Sequence, residues 1–462
     1  MKKFNVFKTV TLVMLLTIFL TWVLPGSSQQ AAMTQTQDIR VGLFQLLNYS
    51  VGSASFFGWM ALYLFAIGGF YAVLHKTGAY GLLIEQLIKK VKKGKEWILL
   101  TIIMIVLAGL SSVVGSAYVL LMFFPFLITI VLALGYDKAT AVLATVGAVM
   151  VGFIGTTLAV STQSIVEFLS LKENYLMGGK VLLLVLSLAL LVVYTVLRGE
   201  KTKPKKIEVE LPKADKKAKV WPIKIIFALL FLVFILAYTN WGGIFDKNIF
   251  VDLVEKLKSF TIGGKEIKFV GKLIGDAVVP FGQWEAPNAI YLLVIATGIV
   301  ALIHSISLDE MLESYVEGMK AAVKPIVISL MIFIILIISV YHPFVLTSVK
   351  GLINSKLNVF TFGLAGIIAN LFSVEIQYAG NAVLPYLVSV VTNGKALQVA
   401  GLMWQAIHGF SMIFLPTSVV LMVTLTYLEL AYTKYIKAVW KFLLALFVLI
   451  LVFSLVLKMI VI

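Results

Sequence analysis

The chain has 462 residues, 61% of them apolar and only 13% charged, with a mean hydropathy of +1.03. An ordinary soluble domain is about 45–50% apolar and about 25% charged, so this composition excludes a water-soluble fold and makes lipid the solvent. The formal net charge is +16 with no cysteine, which rules out disulfides, thiolate metal sites and cysteine nucleophiles. The lysines fall mostly in short loops between apolar runs, the pattern of topology signals at an anionic leaflet rather than of nucleic-acid binding.

A crossing needs about 20 apolar residues. The first apolar run follows Lys2, Lys3 and Lys8 and ends at Pro25-Gly26. It has the outline of a signal peptide. It continues through Trp22 and Val23 with no small-x-small cleavage site directly after, so it reads as an uncleaved first span. Full crossings are expected near residues 9–25, 55–75, 139–165, 180–198, 221–240, 287–306, 325–346, 396–428 and 438–460. Residues 97–134 and 359–392 are too long for one span, and each carries a small, polar middle. Both are read as re-entrant hairpins; a pair of short crossings is the alternative.

Charge tests this count. With the N-terminus cytoplasmic, the Lys89–Lys95 loop, the Asp137 turn and the basic linker 199–219 all fall inside, provided residues 97–134 cross an even number of times. Residues 241–285 form the largest outside segment and read as a small external cap within a connecting unit, 220–286.

The two hairpins lead into similar text. Phe124-Pro125-Phe126-Leu127 and Leu384-Pro385-Tyr386-Leu387 are followed by the polar turns Gly135-Tyr136-Asp137-Lys138 and Thr392-Asn393-Gly394-Lys395. Each turn opens a long apolar helix interrupted near its middle, at Gly155-Thr156-Thr157 and at Pro416-Thr417-Ser418. One further span closes each half. The fold expected is an all-α polytopic membrane protein of two inverted-topology repeats, residues 1–198 and 287–462, each with a re-entrant hairpin and a broken helix (139–165 and 396–428), the arrangement found in many secondary transporters.

Irregular backbone at membrane depth survives only where protein buries it or water reaches it. A helix starting there offers N–H groups and a positive dipole end; one stopping there offers carbonyls that suit Na⁺. The hairpin tips and breaks therefore define the candidate substrate or ion site: Ser111, Ser112, Gly115, Ser116, Gly155, Thr156, Thr157, Glu375, Gln377, Gly380, Asn381, Pro416, Thr417 and Ser418. Any single Ser or Thr has helix packing as its plainer explanation; the clustering makes the case. Glu375 is the sharpest residue, because a lone acid at membrane depth is costly and tends to be functional. It could take a proton, hold Na⁺, meet a substrate ammonium, or simply partner a buried tyrosine. His408 reads first as a packing histidine. No Walker, GxSxG or HExxH phrase suggests an enzyme, and no cofactor is called for beyond a coupling ion, H⁺ or Na⁺. A carrier of a small solute is the expected function, a channel or membrane scaffold the alternative.

Four segments carry a family likeness. Gly68-Gly69-Phe70 through Thr77-Gly78-Ala79, the Gly135-Tyr136-Asp137 turn, Tyr315-Val316-Glu317-Gly318 and Leu415-Pro416-Thr417-Ser418 resemble, in order, phrases of YfcC/DcuC-type carriers in the ion-transporter superfamily. The p-aminobenzoyl-glutamate and divalent-anion carriers are more distant kin. The resemblance implies a homodimer, a transport domain of hairpins and broken helices that moves as an elevator, and coupling to H⁺ or Na⁺ or exchange. It implies a carboxylate-bearing solute, an amino acid or an organic anion. The first tip, Ser111-Ser112-Val113-Val114-Gly115-Ser116, lacks the acidic pair of many such chains, and the first break has Gly-Thr-Thr where Asn-Pro is common; both leave the substrate open.

Overall fold

The computed structural model describes residues 6–26, 40–114, 116–158, 162–172, 174–204, 210–245, 247–260, 269–275 and 278–462. Among them the chain is helical throughout, and eight helices are long and apolar enough to cross a membrane.

The first half runs α1 (Val6–Val23), α2 (Leu43–Lys76), α3 (Ala79–Lys90) and α4 (Glu96–Val113). A 3₁₀ turn (Tyr118–Phe123) leads into α5 (Phe124–Ala133), completing the first hairpin. The first broken helix is α6 (Lys138–Val142), a π turn (Leu143–Gly147) and α7 (Ala148–Ile154); α8 (Gln163–Phe168) and α9 (Met177–Thr202) follow. The connecting span α10 (Trp221–Tyr238) leads to the cap helices α11 (Trp241–Phe245), α12 (Ile249–Ser259) and α13 (Phe269–Ile274). The first order then recurs. There is a span, α14 (Ala289–Ile303), a long helix, α15 (Leu308–Tyr341), and a short one, α16 (Val345–Val349). A hairpin of α17 (Val359–Ser373) and α18 (Ile376–Val390) follows, then a broken helix of α19 (Gly394–Met412) and α20 (Val419–Tyr427), and a closing span, α21 (Tyr432–Val461).

Local sequence sets the helix starts. Asp137 accepts from Thr140 N ahead of α6, Asn393 from Lys395 N and Ala396 N ahead of α19, and Asn358 from Phe360 N and Thr361 N ahead of α17. These side chains satisfy N–H groups the helix itself leaves open. Gly135, at φ 88°, supplies the left-handed residue that turns α5 into α6.

Ion pairs fix which ends share a face. Glu96 meets Lys203 at 3.6 Å, Asp137 meets Arg198 at 2.8 Å, and Tyr136 donates to Glu200 at 2.6 Å. The start of α4, the turn before α6 and the end of α9 are therefore neighbours, and residues 97–134 leave and return on one side. Burial pushes the Asp137 carboxyl up, but hydrogen bonds from Arg198 and Thr140 outweigh it and hold it below the usual carboxylate range.

Three elements differ from expectation. The first hairpin runs deep: α4 has 18 residues, and Val114 bridges to Thr239 at the C-terminal end of α10. The second is shallower, with limbs of 15 residues each, about 22 Å at 1.5 Å per residue. The span expected at 325–346 starts far earlier, because Ser307 and Glu310 form a capping box and α15 continues through Pro325 for 34 residues.

The two 34-residue helices, α2 and α15, pack antiparallel. Tyr49 meets His342 at 2.6 Å, Ser53 donates to Leu330 O at 2.8 Å, and Phe57 stacks on Phe333 at 4.0 Å. Further along, Gly68 lies against Gly318 so closely that a Cβ on either would collide with the carbonyl of the other. Small residues at such a crossing let backbones touch where no apolar-versus-water force drives helices together. Gly318→Leu is expected to lower stability by ~1–3 kcal/mol or more through overpacking. Gly298→Leu, where a Cβ would meet nothing within 4 Å, should be near neutral; thermal unfolding of both in detergent checks the contrast.

Candidate functional site

The second hairpin turns on one residue. Val374 has φ 59° and ψ −48°, and Glu375 N donates to Ser373 O at 2.5 Å. This is the strained, positive-φ form of γ-turn, in a β-branched residue that rarely adopts such φ. The turn leaves Glu375 as the N-cap residue of α18. Its carboxylate is held from two sides, accepting from Tyr118 OH at 3.0 Å and from Gln377 Nε2 at 3.2 Å. Tyr118 opens the return limb of the first hairpin, so the two tips meet through this acid.

The breaks raise an accounting question, since carbonyls at a helix end must find donors. At the end of α7, Ile154 O and Thr156 O accept from Gln405 Nε2 at 3.2 and 3.0 Å, Gly155 O accepts from Ser112 Oγ at 3.1 Å, and Phe153 O accepts from Thr156 Oγ1 at 2.9 Å. At the end of α19, Phe414 O accepts from Tyr432 OH at 2.7 Å and Ile413 O from Tyr435 OH at 3.0 Å. The carbonyls that sequence reasoning offered to Na⁺ thus already hold protein donors.

Both tips and both broken helices wall a cavity of about 820 Å³. Ser116, Tyr118, Val374, Glu375 and Gln377 come from the tips, Met150 and Phe153 from α7, His408 and Met412 from α19, and Ser418 from the second break. Its roof is the end of the cap, Gly282 to Pro287. That strip is tied to α10: Gly282 N and Trp284 N both donate to Ala237 O, and Trp284 meets Tyr238 edge-on at 6.1 Å. The wall carries two carboxylates, Glu375 and Glu285, and neither lysine nor arginine among the described residues. Helices α18 and α20 both begin at the wall, placing two positive dipole ends there. Polar solute groups could meet these ends, the amides and hydroxyls, while Trp59, Trp284 and Phe153 pack against apolar parts.

The residues singled out by sequence divide into two groups. Ser116, Glu375, Gln377 and Ser418 line the cavity. Pro416 and Thr417 are buried beside Ser418, and the Thr417 hydroxyl has no partner among the described residues. Ser111 and Ser112 are buried, with hydroxyls bound to Val149 O and Gly155 O; Thr156 bonds within the break, to Phe153 O, and Thr157 Oγ1 lies 3.1 Å from Ser112 Oγ of the first hairpin. Gly155 packs against Leu184 and Lys180 O of α9, and Gly380 against Phe168 and Trp404. Asn381 is half-buried on α18. Gly115 lies outside the described residues. His408 is a packed histidine, with Nδ1 2.6 Å from Asn370 Oδ1, and it also lines the cavity. Sequence reasoning missed Tyr118, Gln405, Tyr432, Tyr435 and the cap strip. Gln405 could have been found as an amide inside a long apolar helix, and Tyr432 and Tyr435 by their i,i+3 spacing at the start of the span that follows the broken helix.

Among the described residues the chain is helical, eight helices are long and apolar enough to cross a membrane, and hairpin tips and broken helices surround a polar cavity; the family it matches is one of membrane carriers. The sequence matches the C4-dicarboxylate anaerobic carrier family, DcuC, over residues 5–459, and the chain belongs to that family. No curated protein matches it. Among solved structures it is similar to the YdaH transporter of Alcanivorax borkumensis, at 14% identity and a TM-score of 0.41, covering 98% of this chain and 96% of that one.

The capping donors are expected to matter for stability. Tyr435→Phe strands one carbonyl and Gln405→Leu two, at a cost of about 1–3 kcal/mol for each group left unpaired. Thermal unfolding of the detergent-solubilised variants reads this directly; an unchanged midpoint for both would remove these side chains from the accounting.

Proposed function

We propose that this carrier moves a small amino acid across the cytoplasmic membrane, driven by protons that load on Glu375. The observation that carries this reading is the charge of the cavity. Glu375 and Glu285 face it with no lysine or arginine among the described residues to offset them, while the positive ends of α18 and α20 lie against the same wall. A solute with an ammonium group and a carboxylate meets both: the ammonium at Glu285, the carboxylate at a helix start, which leaves Glu375 for the proton. A C4-dicarboxylate, the solute in the family's name, is the second reading; it would need Glu375 protonated to avoid like charges in one site. Either way Glu375 is the exchangeable charge. Protons suit it better than Na⁺, because the carbonyls at both breaks are already taken by Gln405, Ser112, Tyr432 and Tyr435.

The recurrent element order and the antiparallel α2–α15 pair support two inverted halves. Family likeness supports a homodimer in which the hairpins and broken helices move as an elevator. In the orientation proposed, the Lys89–Lys95 loop is cytoplasmic and the turn before α19 external. Single cysteines at Lys93 and Gly394 of this cysteine-free chain test it: a membrane-impermeant maleimide should label only Gly394→Cys in intact cells, and labelling at Lys93→Cys would sink the model.

Uptake into proteoliposomes, with a panel of amino acids and C4-dicarboxylates and a pH dye inside, tests the function. Saturable amino-acid uptake with proton influx is expected, and Glu375→Gln should reduce it at least about tenfold, equivalent to ~1.4 kcal/mol. Expression should survive, since an uncharged side chain inserts more easily. Dicarboxylate uptake alone would favour the second reading; normal Glu375→Gln transport across pH and Na⁺ gradients would make the residue structural.

A further inference from the structure

A second cavity, of about 630 Å³, lies away from the hairpin tips, between the α2–α15 pair and the facing helices α5 and α20. Its depth is apolar, lined by Leu64, Ile67, Leu121, Phe124, Ile128 and Val423. Its rim is charged, with Lys76 from the last turn of α2 and Glu313 and Glu317 from the early turns of α15. Glu317 is already paired, 2.6 Å from Lys320. Lys76 and Glu313 are both exposed, and among the described residues neither forms an ion pair with the other or with a third group. Two opposite charges share one rim without meeting, above a pocket that water has no reason to fill.

We propose that this cavity binds a phospholipid with a primary-ammonium headgroup, drawn from the leaflet on the side of the basic Lys89–Lys95 loop. The phosphate meets Lys76, the ammonium meets Glu313, and an acyl chain lies in the apolar depth. The chemistry selects against the alternatives. A soluble zwitterion leaves the apolar depth uncovered. A fatty acid satisfies Lys76 but sets its carboxylate beside Glu313. A lipid with a glycerol headgroup brings a phosphate for Lys76 and nothing to neutralise Glu313. The site is separate from the solute cavity and does not depend on which solute is carried.

The test uses the full-length purified protein, stripped of native lipid by detergent exchange. It is mixed with synthetic phosphatidylethanolamine or phosphatidylglycerol of matched acyl chains and read by native mass spectrometry. Wild type should retain phosphatidylethanolamine over phosphatidylglycerol by about tenfold. The double variant Lys76→Gln/Glu313→Gln, which alters only exposed side chains, should lose that preference. Ala321→Phe, placing a ring in the cavity, should lower retention of phosphatidylethanolamine by about tenfold. Equal or greater retention of phosphatidylglycerol by wild type overturns the proposal, as does an undiminished preference in the double variant. If Ala321→Phe does not fold, the double variant decides the matter alone.

Discussion

Hydrocarbon offers no hydrogen bonds, so a membrane protein that interrupts its helices must supply donors and acceptors for every group it exposes. That requirement organises this molecule. Four interruptions meet in one region, two hairpin turns and two helix breaks, and both breaks are closed by side chains from elsewhere in the chain. Gln405 of the second half seals the break of the first; Ser112 of the first hairpin fastens the same helix end and Ser111 the opening turn of α7; Tyr432 and Tyr435 of the last span seal the second break. Removing any one leaves a polar group without a partner in a place where water does not substitute.

What remains after this closure is a small set of groups not committed to the backbone, and these face the cavity. Glu375 is the clearest. Its position follows from the tight turn at Val374, whose backbone conformation is held against its own preference. A tip held this way sets the acid at the start of α18 and within reach of Tyr118, tying one half of the chain to the other. Charge, turn strain and the interhairpin contact are therefore one arrangement, not three.

The hairpins, the breaks and the polar turns were legible in the sequence because each interrupts an otherwise continuous apolar run, and a proline, a glycine or a run of hydroxyls in such a setting has few other uses. Glu375 stood out for the same reason. The depth of the first hairpin was not legible: it depends on Val114 reaching Thr239, a pairing across 125 positions of chain that no local pattern records. Nor was the division of labour among the hydroxyls. Ser111, Ser112 and Thr156 look like ligands by composition, yet their neighbours in space are main-chain carbonyls. The length of α15 was obscured by Pro325, which in isolation argues for a helix start but is accommodated here inside a continuous helix.

The contact between Gly68 and Gly318 has a practical consequence for measuring motion. Two backbones in direct contact have no side chain between them to compress or swing aside, so sliding one helix past the other would force carbonyl into Cα. The α2–α15 pair is thereby a built-in ruler. Spectroscopic labels on its outer turns define a fixed baseline within each molecule, and any change in distance from that baseline to the tips around Ser116 or Glu375 belongs to the tips alone.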